Sequence, residues 1–309
     1  MYLGIYNEEN LFFTCAVRGR ATGRHYLMAA PPWTKLRELE YASLQLERDN
    51  AESDKDYLKW LKMLIAPGGS LGGARPKASV LDESGHPWIA KFPSRRDEMN
   101  IGKWEHLVSQ LAQKAGLETA SSEIRHFSRE YDTFLTKRFD RTASGERLHF
   151  ASAMTLLGKK DGDGGDTGVS YLDLADFLVR HGAQVSKDLE QLWRRIVFYV
   201  CVSNTDDHLR NHGFMLTPQG WVLSPAYDIN PVATAGGLSL NISKDDNSQN
   251  LDLVHSVAPH FRVKEDRASE IIQEVIAVVQ SWSELAKKLN IPSREMSLMK
   301  GAFRVADSD

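Results

Sequence analysis

The sequence has few of the features that mark an extracellular, membrane or nucleic-acid-binding protein. It contains only two cysteines, Cys15 and Cys201, with no CxxC or Cys/His spacing around them, so neither a disulfide framework nor a zinc site is expected. The net charge is −3, and no stretch of Lys and Arg is dense enough to attract a polyanion along a groove. The longest uncharged apolar run, near residues 196–203, is far shorter than a membrane span, and the first ten residues lack a cationic leader. These absences predict a cytoplasmic protein that contacts neither membranes nor, directly, nucleic acid.

The apolar and charged contents of the chain predict a folded protein with two lobes. Hydrophobic residues make up 42% of the sequence and charged residues 26%, which is typical of a soluble globular protein. With 309 residues, the chain is just longer than the size at which a single hydrophobic core stops growing. We therefore expect two lobes with a cleft between them.

The spacing of apolar residues predicts an α+β fold in which mixed structure comes first and helices follow. Strand-like alternation is found at 1–30, 77–83, 87–93 and 122–139. Helical spacing is found at 34–64, 98–115, 150–157, 170–181, 188–203 and 264–289. A Ser84-Gly85 turn makes a hairpin of the second and third extended segments, and Gly116 stands where a helix cap belongs. The chain is therefore predicted to divide into an N-terminal mixed α/β part, 1–140, and a mostly helical part, 141–309.

The run SNTDDHLRNHGF, at 203–214, is a candidate catalytic loop. Asp206 precedes Asn211 by five positions, the interval between base and metal ligand in a kinase catalytic loop. Asp228 follows seventeen residues later, after the strand-like WVLSPAY, so a hairpin could return its carboxylate beside the loop. Asn211 and Asp228 offer the oxygens that Mg²⁺ prefers, while Asp206 can accept a hydroxyl proton. The alternative is that turns and helix caps alone account for this cluster of polar residues.

Lys91, in the strand PWIAKFPS, is a candidate phosphate ligand. A lysine buried in a strand needs a charge partner. Glu105, on the helix that follows, could supply it, and Glu98 is a rival partner. The alternative is an exposed lysine on an edge strand.

The glycine-rich PGGSLGGARPKAS is a candidate phosphate-covering loop. It matches neither the Walker sequence nor strict GxGxxG, because Gly73 is followed by Ala and Arg75. Glycine amides at positions such as Gly72 and Gly73 can still approach phosphates, and Ser70, Arg75 and Lys77 add donors. A plain linker loop is the alternative.

The segment KKDGDGGDTG, at 159–168, has some features of a calcium loop. Asp161 and Asp163 are spaced as the first and third ligands, but Asp166 and Leu172 stand where Gly and Glu are required. A solvated, flexible loop is expected instead.

Five motifs in this order resemble those of the HipA-type toxin kinases, bacterial serine/threonine kinases of type II toxin–antitoxin systems. They are GGSLGGARPKA, WIAKFPS, LTKRFDR, NTDDHLRNHGF and LSPAYDINP, and the similarity covers about residues 67–260. The resemblance implies a bilobal protein-kinase-like α+β fold. It also implies ATP and Mg²⁺ as cofactors and phosphate transfer to a protein serine.

The resemblance implies a role for each matching residue. Asp206 would be the base, with His208 beside it, and Asn211 and Asp228 would bind magnesium. Lys91 would contact phosphate, paired with Glu105 as the strand lysine and helix glutamate are in kinases. Cofactor contacts are further implied for Ser70, Gly72, Gly73, Lys77, Lys137 and Phe139, the last two as the adenine-binding hinge. Ser70 stands at the loop position at which family members phosphorylate themselves and switch off.

Two short stretches depart from other protein kinases. Asp228-Ile229-Asn230 replaces DFG, and Asn204-Thr205 replaces the His-Arg pair before the base.

The resemblance also implies partners. Aminoacyl-tRNA synthetases are the known substrate class, and a HipB-like DNA-binding antitoxin would link the kinase to DNA only indirectly. Because about 66 residues precede the glycine loop, fewer than in full-length relatives, the part that helps to bind the antitoxin is expected to be reduced or supplied by another chain. The alternatives are a catalytically silent nucleotide-binding partner of an antitoxin complex and a small-molecule kinase.

Overall fold

The computed structural model describes residues 30–65, 75–127, 131–142, 145–234 and 236–307. Contacts divide the chain into two compact units. The first comprises residues 1–102 and 122–145, and the second comprises 103–121 and 146–309. The domain boundary expected at residue 140 remains a prediction. Residues 103–121 precede that boundary, but their contacts group them with the C-terminal unit.

The first unit is built on a four-stranded antiparallel sheet. Its strands are β1 (Lys77–Leu81), β2 (Pro87–Lys91), β3 (Ser122–Arg125) and β4 (Thr133–Lys137), in the order β1-β2-β4-β3. The β1–β2 hairpin around the Ser84-Gly85 turn is thereby confirmed. Two helices, α1 (Leu36–Leu46) and α2 (Tyr57–Ile65), share a core with the sheet. That core contains Leu36, Leu39, Leu64, Ala78, Val80, Trp88, Ala90, Phe92 and Leu135.

The helical stretch expected over 34–64 is interrupted in the structure. Asn50 adopts a left-handed conformation with φ of 58°, and a short 3-10 turn follows at Ala51–Ser53. The intervening sequence RDNAESD has no apolar side chain long enough to continue the buried stripe, and Asn tolerates the left-handed region better than most residues. The chain therefore forms two helices joined by a polar turn.

The helix α3 (Ile101–Lys114) ends where the sequence indicates. Gly116 has φ of +80°, the left-handed conformation that commonly closes a helix. Within the helix, the indole of Trp104 packs against Trp282 and Phe303 and donates from Nε1 to Glu295 at 3.0 Å. These contacts explain why most of α3 belongs to the second unit.

The second unit combines a small sheet with helices. Its strands β5 (Phe150–Ser152), β6 (Gly213–Thr217) and β7 (Gly220–Leu223) form an antiparallel sheet in chain order. The helix expected over 150–157 is wrong for its first three residues, because these pair with β6 across about sixty residues of sequence. Only α4 (Ala153–Leu156) is helical there, capped by the Ser152 hydroxyl.

The longest helix of the second unit is α6 (Val185–Val202), whose C-terminal half is almost entirely buried. The others are α5 (Tyr171–His181), α7 (Leu251–Ser256), α8 (Glu265–Val279), α9 (Trp282–Lys288), α10 (Ser293–Met299) and α11 (Arg304–Asp307). Helices α5, α8 and α11 contact α6 directly. In the part of the chain that the structure describes, no helix is both long enough and apolar enough to cross a membrane.

Candidate active site

The candidate catalytic loop begins where α6 ends. Ser203 has φ of 48°, a left-handed conformation that stops the helix, and the Asn204 amide donates to the Tyr199 carbonyl at 2.9 Å. Residues 204–208 then run without regular secondary structure into a 3-10 turn at Leu209–Asn211. We refer to residues 204–208 as the base segment.

Asp206 presents its side chain outward from the base segment. The side chain is 61% exposed, and Oδ1 lies 3.6 Å from Nε2 of His208, which is itself 32% exposed. That separation is longer than a hydrogen bond, so the two groups are neighbours without a fixed bond between them. Asp206 therefore has an accessible carboxylate of the kind that a general base requires.

Three successive carbonyl groups of the base segment accept hydrogen bonds from side chains. The Thr205 oxygen accepts from Ser239 Oγ at 2.7 Å, and the Asp206 oxygen accepts from Asn211 Nδ2 at 2.7 Å. The Asp207 oxygen lies 3.1 Å from His212 Nε2. Because Asn211 uses its amide nitrogen in this way, its amide oxygen is the atom that could bind a cation.

Asp228 follows the β6–β7 hairpin, which lies between Asn211 and this aspartate in the chain. Asp228 has φ of 55°, and its Oδ1 accepts from Asn230 Nδ2 at 3.0 Å. The Asn230 amide donates in turn to Oδ1 of Asn204 at 3.1 Å, and the Tyr227 hydroxyl donates to the Arg210 carbonyl at 2.7 Å. Two hydrogen bonds thus join the segment that carries Asp228 to the one that carries Asp206.

A fully buried aspartate lies directly after the candidate base. Oδ1 of Asp207 accepts from the Ser239 amide at 2.6 Å, and Oδ2 accepts a short hydrogen bond from the Tyr171 hydroxyl. Burial raises the pKa of the Asp207 carboxyl to about 6. Burial, together with the charge of Arg195, lowers the pKa of His212 to about 3, so its imidazole is neutral at physiological pH.

Sequence reasoning did not identify this buried group. The repeated Asp206-Asp207 pair was a usable signal, because two adjacent residues in an extended segment point in opposite directions. The partners Tyr171 and Ser239 lie more than thirty residues away in opposite directions along the chain, and no local pattern indicates them.

In the first unit, Lys91 lies on a central strand rather than an edge strand. Strand β2 is flanked by β1 and β4, and Lys91 is 9% exposed with its Nζ 5.6 Å from the centroid of the Phe134 ring. The exposed edge-strand alternative is therefore wrong. Lys77 stands directly opposite Lys91 on β1, so two cations share one face of the sheet. Glu105 lies on α3 in the second unit and Glu98 in the first, and the pairing of Lys91 with either stays a prediction.

The other expected nucleotide contacts have different outcomes. Lys137 ends β4 opposite Trp88, and Phe139 follows in a bend, both half-buried. Arg75, expected as a phosphate donor, instead forms a bidentate ion pair with Asp97 at 2.6 and 2.7 Å. Three expected residues lie outside the described part of the chain: Ser70, Gly72 and Gly73.

The loop at 159–168 is largely exposed, as expected, and hydrogen bonds join it to the rest of the unit. The Gly165 amide donates to the Ser239 carbonyl at 2.7 Å, and Asn241 Nδ2 donates to the Gly165 carbonyl at 3.0 Å. Asp161 pairs with Arg210. No cluster of three His, Cys, Asp or Glu side chains suited to a metal is found among the described residues. The loop borders a groove of about 400 Å³ lined also by His208, Leu209, Arg210, Leu238, Ser239, Met154 and Asn247.

Known proteins of two bacterial species are similar to this chain. The serine/threonine-protein kinase toxin HipA of Shewanella oneidensis is 30% identical over 187 residues, which cover 52% of this chain and 42% of that protein. The solved complex of Shewanella oneidensis HipA, HipB and operator DNA matches with a TM-score of 0.62 at 20% identity, covering 77% of this chain and 63% of that chain. The solved structure of the Helicobacter pylori proinflammatory kinase CtkA matches with a TM-score of 0.52 at 15% identity. The match covers 78% of this chain and 95% of that chain.

The solved structures show the fold, and a family model shows the family. The chain has an α+β fold like those of the HipA and CtkA kinase structures, as the sequence predicts. It spans about half the length, or less, of the curated relatives that it matches. A family model described as the HipA-like C-terminal domain matches residues 69–282, so the chain belongs to the HipA-like family.

Proposed function

We propose that this chain is an ATP- and Mg²⁺-dependent protein serine/threonine kinase of the HipA type. The observation that carries the proposal is that Asp206, Asn211 and Asp228 lie on two segments joined by hydrogen bonds, with Asp206 alone turned outward. Family membership and the lysine pair on the β1–β2 face support the same reading. Each residue has the chemistry that its role needs.

The proposed reaction follows from these groups. Asp206 accepts the proton of a serine hydroxyl while the serine oxygen bonds to the γ-phosphorus of ATP and the bond to the ADP oxygen breaks. His208, whose Nε2 lies 3.6 Å from the Asp206 carboxylate, is assigned a positioning role that requires the two groups to move closer when substrate binds. Asn211 and Asp228 would hold Mg²⁺, which, when bound, offsets the negative charge on the phosphates. Lys91, with Lys77 opposite, would bind phosphate oxygens, and Lys137 and Phe139 would border the adenine.

The test is intact-protein and peptide mass spectrometry after incubation with ATP and Mg²⁺. The wild type, freed of phosphate beforehand, should gain phosphate on Ser70, whereas Asp206→Ala and Asp228→Ala should gain none. Asp245→Ala, which alters an exposed aspartate of the second unit, is the matched control and should behave as the wild type. A lost general base lowers the rate by about 10²–10⁴-fold. Equal phosphate gain by Asp206→Ala and the wild type would contradict the assigned base.

The protein substrate is proposed to be an aminoacyl-tRNA synthetase. Incubating the Ser70→Ala variant with a panel of purified synthetases and γ-labelled ATP would identify the substrate, because transfer to the chain's own loop is then removed. Label on a small metabolite but on no protein would favour a small-molecule kinase. ATP binding without any transfer would favour a silent partner.

A HipB-like antitoxin is the proposed inhibitory partner, through which the chain would be linked to DNA. The structural relative from Shewanella oneidensis was solved with HipB and operator DNA. Size-exclusion chromatography with light scattering should detect a complex between this chain and its cognate antitoxin, and phosphate transfer should fall as the complex forms. Full activity in a saturated complex would contradict the inhibitory role.

A further inference from the structure

The outward position of Asp206 depends on buried and half-buried side chains that hold the backbone around it. The base segment has no helix or strand ladder to hold it, and backbone groups without regular partners must be satisfied in another way. Here the two carbonyls on either side of the Asp206 side chain accept from Ser239, which is distant in the sequence, and from Asn211, five residues further on. The shape of the segment is therefore set by those partners.

Ser239 holds the chain on both sides of Asp206. Its hydroxyl donates to the Thr205 carbonyl at 2.7 Å, and its amide donates to the Asp207 carboxylate at 2.6 Å. One residue thus fixes the position before the base and the position after it.

Tyr171 completes the attachment from the first residue of α5. Its hydroxyl, fully buried, donates to the second oxygen of the Asp207 carboxylate. Its ring meets the His212 ring edge-on at 5.3 Å, and that imidazole lies 3.1 Å from the Asp207 carbonyl. Both oxygens of Asp207 and its carbonyl are thereby engaged inside the protein, which leaves the adjacent Asp206 side chain directed outward.

We propose that Tyr171, Asp207 and Ser239 are positioning residues that orient Asp206 for phosphate transfer. We refer to these three residues as the base cradle. This inference rests on the proposed kinase function. Since a small displacement of a reacting group can lower the rate by about 10²-fold, loosening the cradle should lower kcat and leave nucleotide binding in place.

The chain offers matched variants for a test. Tyr171→Phe and Ser239→Ala each delete one hydroxyl of the base cradle while keeping the ring or the amide in place. Tyr199→Phe is the first control, because the Tyr199 hydroxyl is equally buried and has no hydrogen-bond partner among the described residues. Ser297→Ala is the second control, because that hydroxyl donates to a carbonyl on α10 at 3.0 Å, as Ser239 donates to Thr205.

The first measurement is steady-state phosphate transfer at a temperature where every variant is folded. Tyr171→Phe and Ser239→Ala should lower kcat by about tenfold or more, with KM for ATP changed by less than about twofold. Both controls should keep the wild-type kcat. An unchanged kcat in the two cradle variants, a loss confined to KM, or an equal loss in Tyr199→Phe would overturn the proposal.

The second measurement is amide hydrogen exchange of the same proteins, which needs no activity. Residues 204–209 should exchange about tenfold faster in the cradle variants and at the wild-type rate in the controls. If the wild type transfers no phosphate, the proposed function fails, and exchange alone then decides whether the cradle holds the segment. Unchanged exchange in both cradle variants would show that it does not.

Discussion

Two aspartates of the second unit, Asp188 and Asp207, keep their carboxyl groups away from water. Asp188 is 4% exposed and Asp207 is fully buried, and burial raises the pKa of each to about 6. Burial penalises the charged form of an acid, so each carboxyl keeps its proton to a higher pH in the folded chain than in the unfolded chain. The unfolding free energy must therefore depend on pH in this range.

Asp188 gives the cleaner prediction, because its carboxylate accepts only the Leu223 amide, at 3.1 Å, among the hydrogen bonds that the structure shows. Between about pH 4 and 6 the unfolded chain releases this proton while the folded chain retains it, so the stability of the wild type falls as pH rises. Asp188→Asn removes that loss and should be more stable than the wild type by about 2–3 kcal/mol above pH 6, with little difference near pH 3. Urea unfolding of both proteins from about pH 3 to above pH 6 measures this difference in stability.

The control for that series is Asp245→Asn at an exposed position. Its stability difference from the wild type should be small and constant with pH. If the difference in unfolding free energy between Asp188→Asn and the wild type does not increase from about pH 4 to 6, the raised pKa is not that of Asp188.

Asn230 sets the orientation of the proposed metal ligand. Its side chain donates to Asp228 at 3.0 Å, and groups that orient metal ligands typically contribute about 10–100-fold to metal affinity. Asn230→Ala should therefore raise the Mg²⁺ concentration that gives half-maximal phosphate transfer by about tenfold. Titration of the rate with Mg²⁺ at saturating ATP measures this shift.

Asn250→Ala is the matched control, because it removes the capping side chain of α7 without touching Asp228. It should lower stability by about 1 kcal/mol and leave the Mg²⁺ midpoint unchanged. A midpoint that shifts equally in both variants would show that general destabilisation, and not ligand orientation, is responsible.

At the scale of secondary-structure elements, the β1–β2 hairpin concentrates positive charge on one face. Lys77 and Lys91 are directly opposite each other in the register, and like charges in that relation destabilise a sheet unless an anion or acid offsets them. Both side chains carry the positive charge that the proposed phosphate contact needs.

The corresponding prediction concerns ATP binding by Lys91→Met, because methionine keeps the aliphatic part of the lysine side chain and removes its charge. Loss of a charge-assisted hydrogen bond weakens binding by about 1.5–3 kcal/mol, so the Kd for ATP should rise about 10–100-fold. Fluorescence titration with a labelled ATP analogue measures it. Lys35→Met alters an exposed lysine of the same unit and should bind ATP as the wild type does. Unchanged ATP binding by Lys91→Met would show that Lys91 is not part of the nucleotide site.

Elements with local determinants were the ones that the sequence could predict. The β1–β2 hairpin follows from alternation on both sides of a Ser-Gly turn, and the end of α3 follows from Gly116. β5 could not be predicted, because a three-residue strand exists only through its pairing with β6. The roles of Asp206, Asn211 and Asp228 come from a motif and stay predictions, whereas the base cradle depends on contacts between residues far apart in the sequence.

At the scale of the whole molecule, ligand binding should be visible as added stability. ATP with Mg²⁺ at about 100 times its Kd should raise the unfolding free energy of the folded, binding-competent chain by about 2.7 kcal/mol. Asp228→Ala should lose the part of this gain that Mg²⁺ supplies and keep the part that ATP alone supplies. Thermal unfolding with ATP, with ATP and Mg²⁺, and with ATP and EDTA separates the two.

A Mg²⁺-dependent gain of the same size in Asp228→Ala would contradict the assignment of that carboxylate as a ligand. Asp245→Ala serves as the control and should show the full gain.

The side-chain bonds to three consecutive carbonyls have a consequence for protein engineering. The run SNTDDHLRNHGF does not determine its own shape, since Tyr171 and Ser239 supply part of its support from outside it. Transplanted alone into another scaffold, the run would keep its reactive side chains but lose their geometry. A functional graft would have to include the first turn of α5 and the bend at Ser239.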